Sequence, residues 1–221
     1  TRVGQDLEGT NVFREPRETF TELQSIFQDT YGYNPGGISP ITQQQNDEKL
    51  LVKLDWNIND SHRLTVRNNY VNARDDQGID RNEGSFSFAN RQYVFRSQQN
   101  SFTTQLNSTF SNNMFNEARF VYTRIRDERD VQDTAFPEIT LDLGGGDEIG
   151  AGIGRFSQAN RLSQDLFEFT DNFTYVAGDH ELTVGTNNKF YQFGNLFIQD
   201  FYGSYTFEEF VANGDTISAT E

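Results

Sequence analysis

Cysteine is missing from this chain altogether, and methionine and tryptophan occur once each. Without cysteine there are no disulfides, no thiol catalysis and no thiolate metal sites. Long apolar runs are missing too: no stretch approaches the roughly 20 consecutive apolar residues of a transmembrane helix, which excludes a helical membrane protein. Cations are scarce, with 18 Lys and Arg against 33 Asp and Glu and a formal charge of −15 over 221 residues. Nucleic-acid phosphates are held by clustered cations, and the sequence has no such cluster, so no nucleic-acid partner is expected.

What the chain does have is aromatic rings. Only 34% of its residues are hydrophobic and the mean hydropathy is −0.72, values that alone would suit a disordered segment. Disordered chains are poor in aromatics, yet this one carries twenty-one Phe and nine Tyr. They fall in register. Leu50, Val52, Leu54, Trp56 and Ile58 alternate with Lys53, Asp55, Asn57 and Asn59, the period of a strand. After Asn59-Asp60-Ser61 the alternation resumes through Leu64 and Val66. Such a pattern builds a sheet that is wet on one face and apolar on the other.

Three hairpins of this kind are expected, over about 49–74, 98–128 and 164–194, with three-residue turns at Asn59-Asp60-Ser61, Ser111-Asn112-Asn113 and Ala177-Gly178-Asp179. Phe102, Leu106 and Phe110 mark the apolar face of the second, and Phe167, Phe169, Phe173 and Tyr175 that of the third. His62 to Asn69 is echoed by His180 to Asn188 after a similar turn. The connections between hairpins are long by contrast, which is uncommon in compact soluble domains. Short turns at one end and long loops at the other is how outer-membrane barrels are built. Trp56 and Tyr175 near the tight turns, and Tyr70, Tyr122 and Tyr191 towards the long loops, are placed as two aromatic girdles would be. Residues 1–48 read as an extracellular loop containing a short helix: Phe20, Leu23, Ile26 and Phe27 have helical spacing, with Thr19 or Thr21 as caps. Residues 49–221 read as the barrel segment, an all-β, antiparallel up-and-down transmembrane β-barrel of about six to seven strands.

At Lys49 to Asp60, Phe115-Asn116-Glu117-Ala118-Arg119 with Tyr122-Thr123-Arg124, Arg155 to Asn160, and Asn195 to Phe207, the chain resembles the TonB-dependent outer-membrane receptors, specifically the Oar-like receptors of Bacteroidota that carry a carboxypeptidase-regulatory-like domain. The resemblance implies a 22-stranded barrel closed by an internal plug and energised through the TonB complex. It implies binding of an extracellular ligand through the long loops, and residence in the bacterial outer membrane. Plug, TonB-box and signal-peptide candidates are not seen in these residues, and six strands cannot close a barrel, the smallest bacterial ones having eight. The chain is therefore expected to be part of something larger, touching TonB through parts absent from it.

On this reading Leu54, Trp56, Leu64, Val66, Phe169 and Phe173 face outer-membrane lipid, while Lys53, Arg67, Gln105, Arg119 and Glu168 face inward. The alternative, a soluble or cell-surface β-sandwich used for adhesion or glycan binding, buries the first set in a dry core. A calcium site would need six to eight oxygens. Asp142, Asp147 and Glu148 surround a glycine run but lack the spacing of known calcium loops, and a solvated loop tip is the plainer reading. His62 and His180 sit beside turns, and no acid pair stands out as catalytic. The chain is expected to be no enzyme and to hold no cofactor. Asp133-Thr134-Ala135 and Asp215-Thr216-Ile217 resemble a short O-glycosylation signal of Bacteroidota.

Overall fold

In the computed structural model, residues 12–131 and 133–208 are described in full, along with the backbone of 2–3, 210–212 and 215–217. The outer ends of both expected domains thus lie partly outside the described residues. Elements run in the order β1 (Arg2–Val3), α1 (Arg17–Tyr31), β2 (Thr42–Gln43), β3 (Gln45–Asn59), β4 (His62–Gln77), β5 (Ser85–Ser87), β6 (Tyr93–Ser111) and β7 (Met114–Val131). They continue with β8 (Glu138–Asp142), β9 (Glu148–Ala151), β10 (Asn160–Ala177), β11 (His180–Phe197), β12 (Ser204–Glu208), β13 (Phe210–Ala212) and β14 (Asp215–Ile217).

The six long strands form one antiparallel sheet in the order β11-β10-β7-β6-β4-β3. The fold is an all-β, antiparallel, partial barrel, open at β3 and β11. Each hairpin runs several residues further towards the long loops than the alternation suggests. β6 has 19 residues and β10 has 18, against the roughly 9–11 that span a bilayer. The added ends do not alternate: Asp47-Glu48, Asp75-Asp76 and Arg129-Asp130 put charge on both faces and Val94-Phe95 puts apolar side chains on both, which erases the period-two signal.

The turns are shorter than the three residues expected. Asp60-Ser61, Asn112-Asn113 and Gly178-Asp179 each make a two-residue connection. Hairpin turns that match strand twist need positive φ at a central position. Only Gly178, at φ 63°, supplies it, and its hairpin keeps perfect register from Ala177↔His180 onward. The other two lack such a residue, and both shift register beside the turn, between Asn57 and Asn59 and between Thr109 and Ser111. Ile58 thus falls in a bulge rather than in the paired row.

The long connections are not simple loops. β5, β8, β9 and β12 form a second, mixed sheet in the order β12-β8-β9-β5, and α1 lies across it. Phe13, Phe20, Leu23, Phe27, Tyr33, Phe86, Phe88, Ile139, Leu141, Ile149 and Ala151 make its core. Phe20 and Phe88 are fully buried, and the Phe20 and Phe86 rings sit 4.5 Å apart. Neither threonine caps the helix. Pro16 occupies the N-cap without a side-chain bond, and Thr21 Oγ1 instead donates back to the Arg17 carbonyl at 3.1 Å. Gly32, in the left-handed conformation, ends it, as an αL glycine commonly does.

Buried polar side chains tie this layer together. Arg81 donates to the carbonyls of Ser87 (2.9 Å), Ser39 (2.6 Å) and Gly37 (3.2 Å), with its guanidinium over the Phe86 ring. Gln158 donates to the Ile153 and Gly203 carbonyls and accepts from the Tyr202 amide. Satisfying buried carbonyls in this way allows irregular backbone to be buried at all. At Gly152, with φ 73°, an added Cβ would lie 1.9 Å from the Pro137 carbonyl oxygen, so only glycine fits.

Candidate functional site

Cross-strand partners share a face of a sheet, so the register assigns every side chain of the large sheet to one side or the other. One row reads Leu54, Val66, Thr104, Phe120, Phe169 and Asn188 across the six strands. The next row towards the turns holds Trp56, Leu64, Leu106, Ala118, Asp171 and Thr186. On the loop side come Val52, Asn68, Phe102, Tyr122, Phe167 and Phe190. Leu54 and Trp56, on the edge strand, are 62% and 56% exposed, and Phe169 and Phe173, on an inner strand, 44% and 40%; Leu64 and Val66, also on an inner strand, are half-buried. Among the described residues no second sheet or helix covers this face. The run Phe167 to Tyr175 covers about 27 Å along its strand at ~3.4 Å per residue, or about 20 Å of height for a strand tilted ~40°.

The band is not purely apolar. Asp171 stands in it, with its carboxylate accepting from Asn116 Nδ2 at 2.7 Å. Tyr191 is not part of the loop-side girdle. It pairs with Leu166 on the opposite face, while Tyr70 and Tyr122 lie on the apolar side, Tyr122 stacked on Phe167 at 4.8 Å. A one-residue difference in register reverses a side chain's face, and reading Tyr191 as level with the other tyrosines overlooked that.

The opposite face is a polar network over the same height. Asp55 meets Lys53 at 2.8 Å and Arg63 at 3.2 Å, and it accepts from Thr65 Oγ1. Gln105 donates to Glu117. Glu168 is shared by Arg119 (3.7 Å), Lys189 (3.3 Å) and Asn187 (3.0 Å). Lys53, Arg67, Gln105, Arg119 and Glu168 all fall on this side.

The structure brings two of the three candidate loop carboxylates face to face and turns both to local hydrogen bonds. Asp142 caps its own loop by accepting from the Gly144 amide at 2.9 Å. Glu148 lies opposite Asp142 across the β8–β9 pair and accepts from Ser85 Oγ. Among the described residues no group of three metal-ligating side chains gathers. His62 Nδ1 lies 3.0 Å from Ser108 Oγ, a cross-strand contact that sequence reasoning missed because the partners are 46 positions apart.

The layer above carries two features without a sequence signal. First, α1 covers the apolar side of β8, β9 and β5 but not of β12. This leaves a groove of about 460 Å³ lined by Leu23, Ile26, Phe27, Phe136, Ile139 and Phe207. Second, Tyr33 is buried, stacked on Phe136 at 3.8 Å, and its hydroxyl donates to Asp133 at 2.6 Å. Burial first, then the Asp133 carboxylate, pushes the phenol well above its usual range. The unfolded phenol ionises near pH 10 and the folded one resists, so this contribution is whole below about pH 10 and is lost as pH rises beyond it. Tyr33→Phe is expected to flatten the alkaline limb of thermal stability, measured as the difference from the unaltered protein between about pH 9 and about pH 11.

Residues 21–220 match the family described as the outer membrane beta barrel domain. The chain belongs to that family, and the protein resides in the outer membrane. No curated protein and no solved structure matches it.

Proposed function

We propose that this chain forms part of the wall and the extracellular layer of a TonB-dependent receptor of the Oar-like kind, one that captures an extracellular ligand and passes it through a plugged barrel. The observation that carries the reading is the pairing of an uncovered apolar face with a polar, ion-paired face at the same height. In lipid every backbone group must be bonded within the protein, so the open edges at β3 and β11 require further strands beside them. The apolar side, with Leu54, Trp56, Leu64, Val66, Phe169 and Phe173, meets lipid, and the polar side lines the lumen.

The folded layer over the strand ends, with its open apolar groove, provides the ligand surface. The acidic side chains serve turns and ion pairs, which supports a binding role over an enzymatic one. A nitroxide at Leu54 in the full-length protein, reconstituted in phospholipid vesicles, is expected to be more accessible to oxygen than to a polar nickel reagent. The reverse order would favour a water-facing sheet. The full-length protein is also expected to be retained by the periplasmic domain of TonB; failure of retention would overturn the TonB assignment while leaving the barrel intact.

A further inference from the structure

Above the tyrosine level the outward side of the sheet changes character. Arg74, Arg96, Glu128 and Arg161 are successive cross-strand partners in one row over β4, β6, β7 and β10. The row beneath them, towards the apolar band, is Asn72, Gln98, Arg126 and Ser163. Asn72, Arg96, Gln98, Arg126, Glu128 and Arg161 line a concave groove of about 430 Å³. In these two rows four guanidiniums meet one carboxylate, on a chain whose formal charge is −15.

Arg74 and Arg96 are directly opposed, an arrangement unfavourable between like charges. Neighbouring acids answer some of this charge: Arg74 pairs with Asp76 at 3.1 Å, Arg96 with Asp130 at 2.9 Å and Arg126 with Asp165 at 2.5 Å. Arg126 Nη1 also donates to the Ile125 and Gln164 carbonyls, and Arg74 gives both Nε and Nη2 to Asp76. Each guanidinium has five donors, and Arg96, which gives Nε to Asp130, keeps its outer nitrogens for a ligand. Arg161 is exposed and has no carboxylate partner among the described residues. Asp127, at the groove wall, is engaged by Ser97 Oγ at 2.6 Å.

We propose that this groove binds the phosphate groups of the phosphorylated glycolipid in the outer leaflet. The proposal rests on the reading that the apolar face meets lipid, and names the lipid it meets. Three features point to that occupant. The groove opens on the same side as the apolar band. Its lower row lies only ~7 Å along the strand above the row containing Tyr70, and interfacial aromatics mark headgroup level. Arginine forks match phosphate oxygens bidentately, while the Asn72 amide and the second N–H of Gln98, whose first goes to the Tyr70 hydroxyl at 2.9 Å, can donate to the same headgroup. Acyl chains would then run down past Phe102, Tyr122 and Phe167.

The test uses the full-length protein, extracted from outer membranes in mild detergent, with co-purifying diphosphorylated lipid A measured by mass spectrometry. The combined Arg96→Gln, Arg126→Gln and Arg161→Gln variant is expected to retain several-fold less lipid A, and Glu128→Gln to retain more. In vesicles, thermal stabilisation by diphosphoryl lipid A is expected to fall in the triple variant, and inorganic phosphate is expected not to reproduce it. Unchanged retention in either variant, or equal stabilisation by inorganic phosphate, overturns the proposal. If the triple variant loses heat-modifiable migration, Glu128→Gln alone decides. The Leu54 nitroxide separates the two levels: lipid exposure there with unchanged retention sinks only the groove, whereas water exposure sinks the lipid-facing reading itself.

Discussion

Leu54→Arg is expected to destabilise the protein by about 2–4 kcal/mol, the cost of placing arginine on the lipid side of a barrel near the bilayer midplane. Leu54 lies midway along the outward run Leu50 to Ile58, flanked on its own face by Val52 and Trp56 and opposed by Val66. It has no neighbouring carboxylate on that face to offset the charge, and it is too far from either end of the run for the arginine stem to reach headgroups easily. The matched control is Asn57→Arg on the polar face, where the new charge opposes Arg63 across the strand pair and should still cost no more than about 1 kcal/mol, the range of a cross-strand pair. Urea unfolding of the full-length protein in phospholipid vesicles measures both. Equal effects of the two substitutions would mean that neither face contacts lipid preferentially.

Phe88→Ala is expected to cost about 3–5 kcal/mol, the usual range for emptying a fully buried aromatic site, and to act on one layer of the molecule. Phe88 has no exposed surface and packs against Phe20 at 6.0 Å, Phe86 at 6.1 Å and Phe27 at 6.3 Å. Those rings come from α1 and the β5 region, and the core they form is completed by Ile139, Leu141 and Ile149 of β8 and β9. Losing the central ring removes partners from each of these segments together. The long strands are bonded chiefly to one another, so local opening can stay separate from the sheet. Hydrogen exchange should therefore accelerate over 85–91 and 138–151 while amides of β6 and β7 remain protected. Simultaneous loss of protection in β6 and β7 would show that the layer and the wall unfold as one unit.

The hairpins were legible because a half-buried strand has the shortest period in protein structure, and four or five alternations suffice to reveal it. The turns were located correctly but read one residue too long, since a two-residue turn with a neighbouring bulge offers the same polar residues as a three-residue loop. Tyr191 lies at the height of a loop-side girdle but faces the other way, because height follows distance from the turn whereas facing follows parity. The helix showed through the spacing of Phe20, Leu23 and Phe27, whereas the sheet it covers did not. β5 and β9 have three and four residues, too few to display any period. Of the outward arginines, only their number was visible, because Arg74, Arg96, Arg126 and Arg161 are scattered over nearly ninety positions.

By itself the sequence determined the local terms: where strands alternate, where they reverse, which side of each is apolar, and that the chain has no thiol and no apolar run long enough for a membrane-crossing helix. Period and turn chemistry are properties of adjacent residues and need no partner to be expressed. Tertiary structure alone decided which separated segments meet: the β12-β8-β9-β5 sheet beneath α1, the Tyr33–Asp133 contact across 100 positions, and the arginine row above the apolar band. Those depend on register between strands, which is set by the whole sheet closing on its partners, and no window of neighbouring residues contains it.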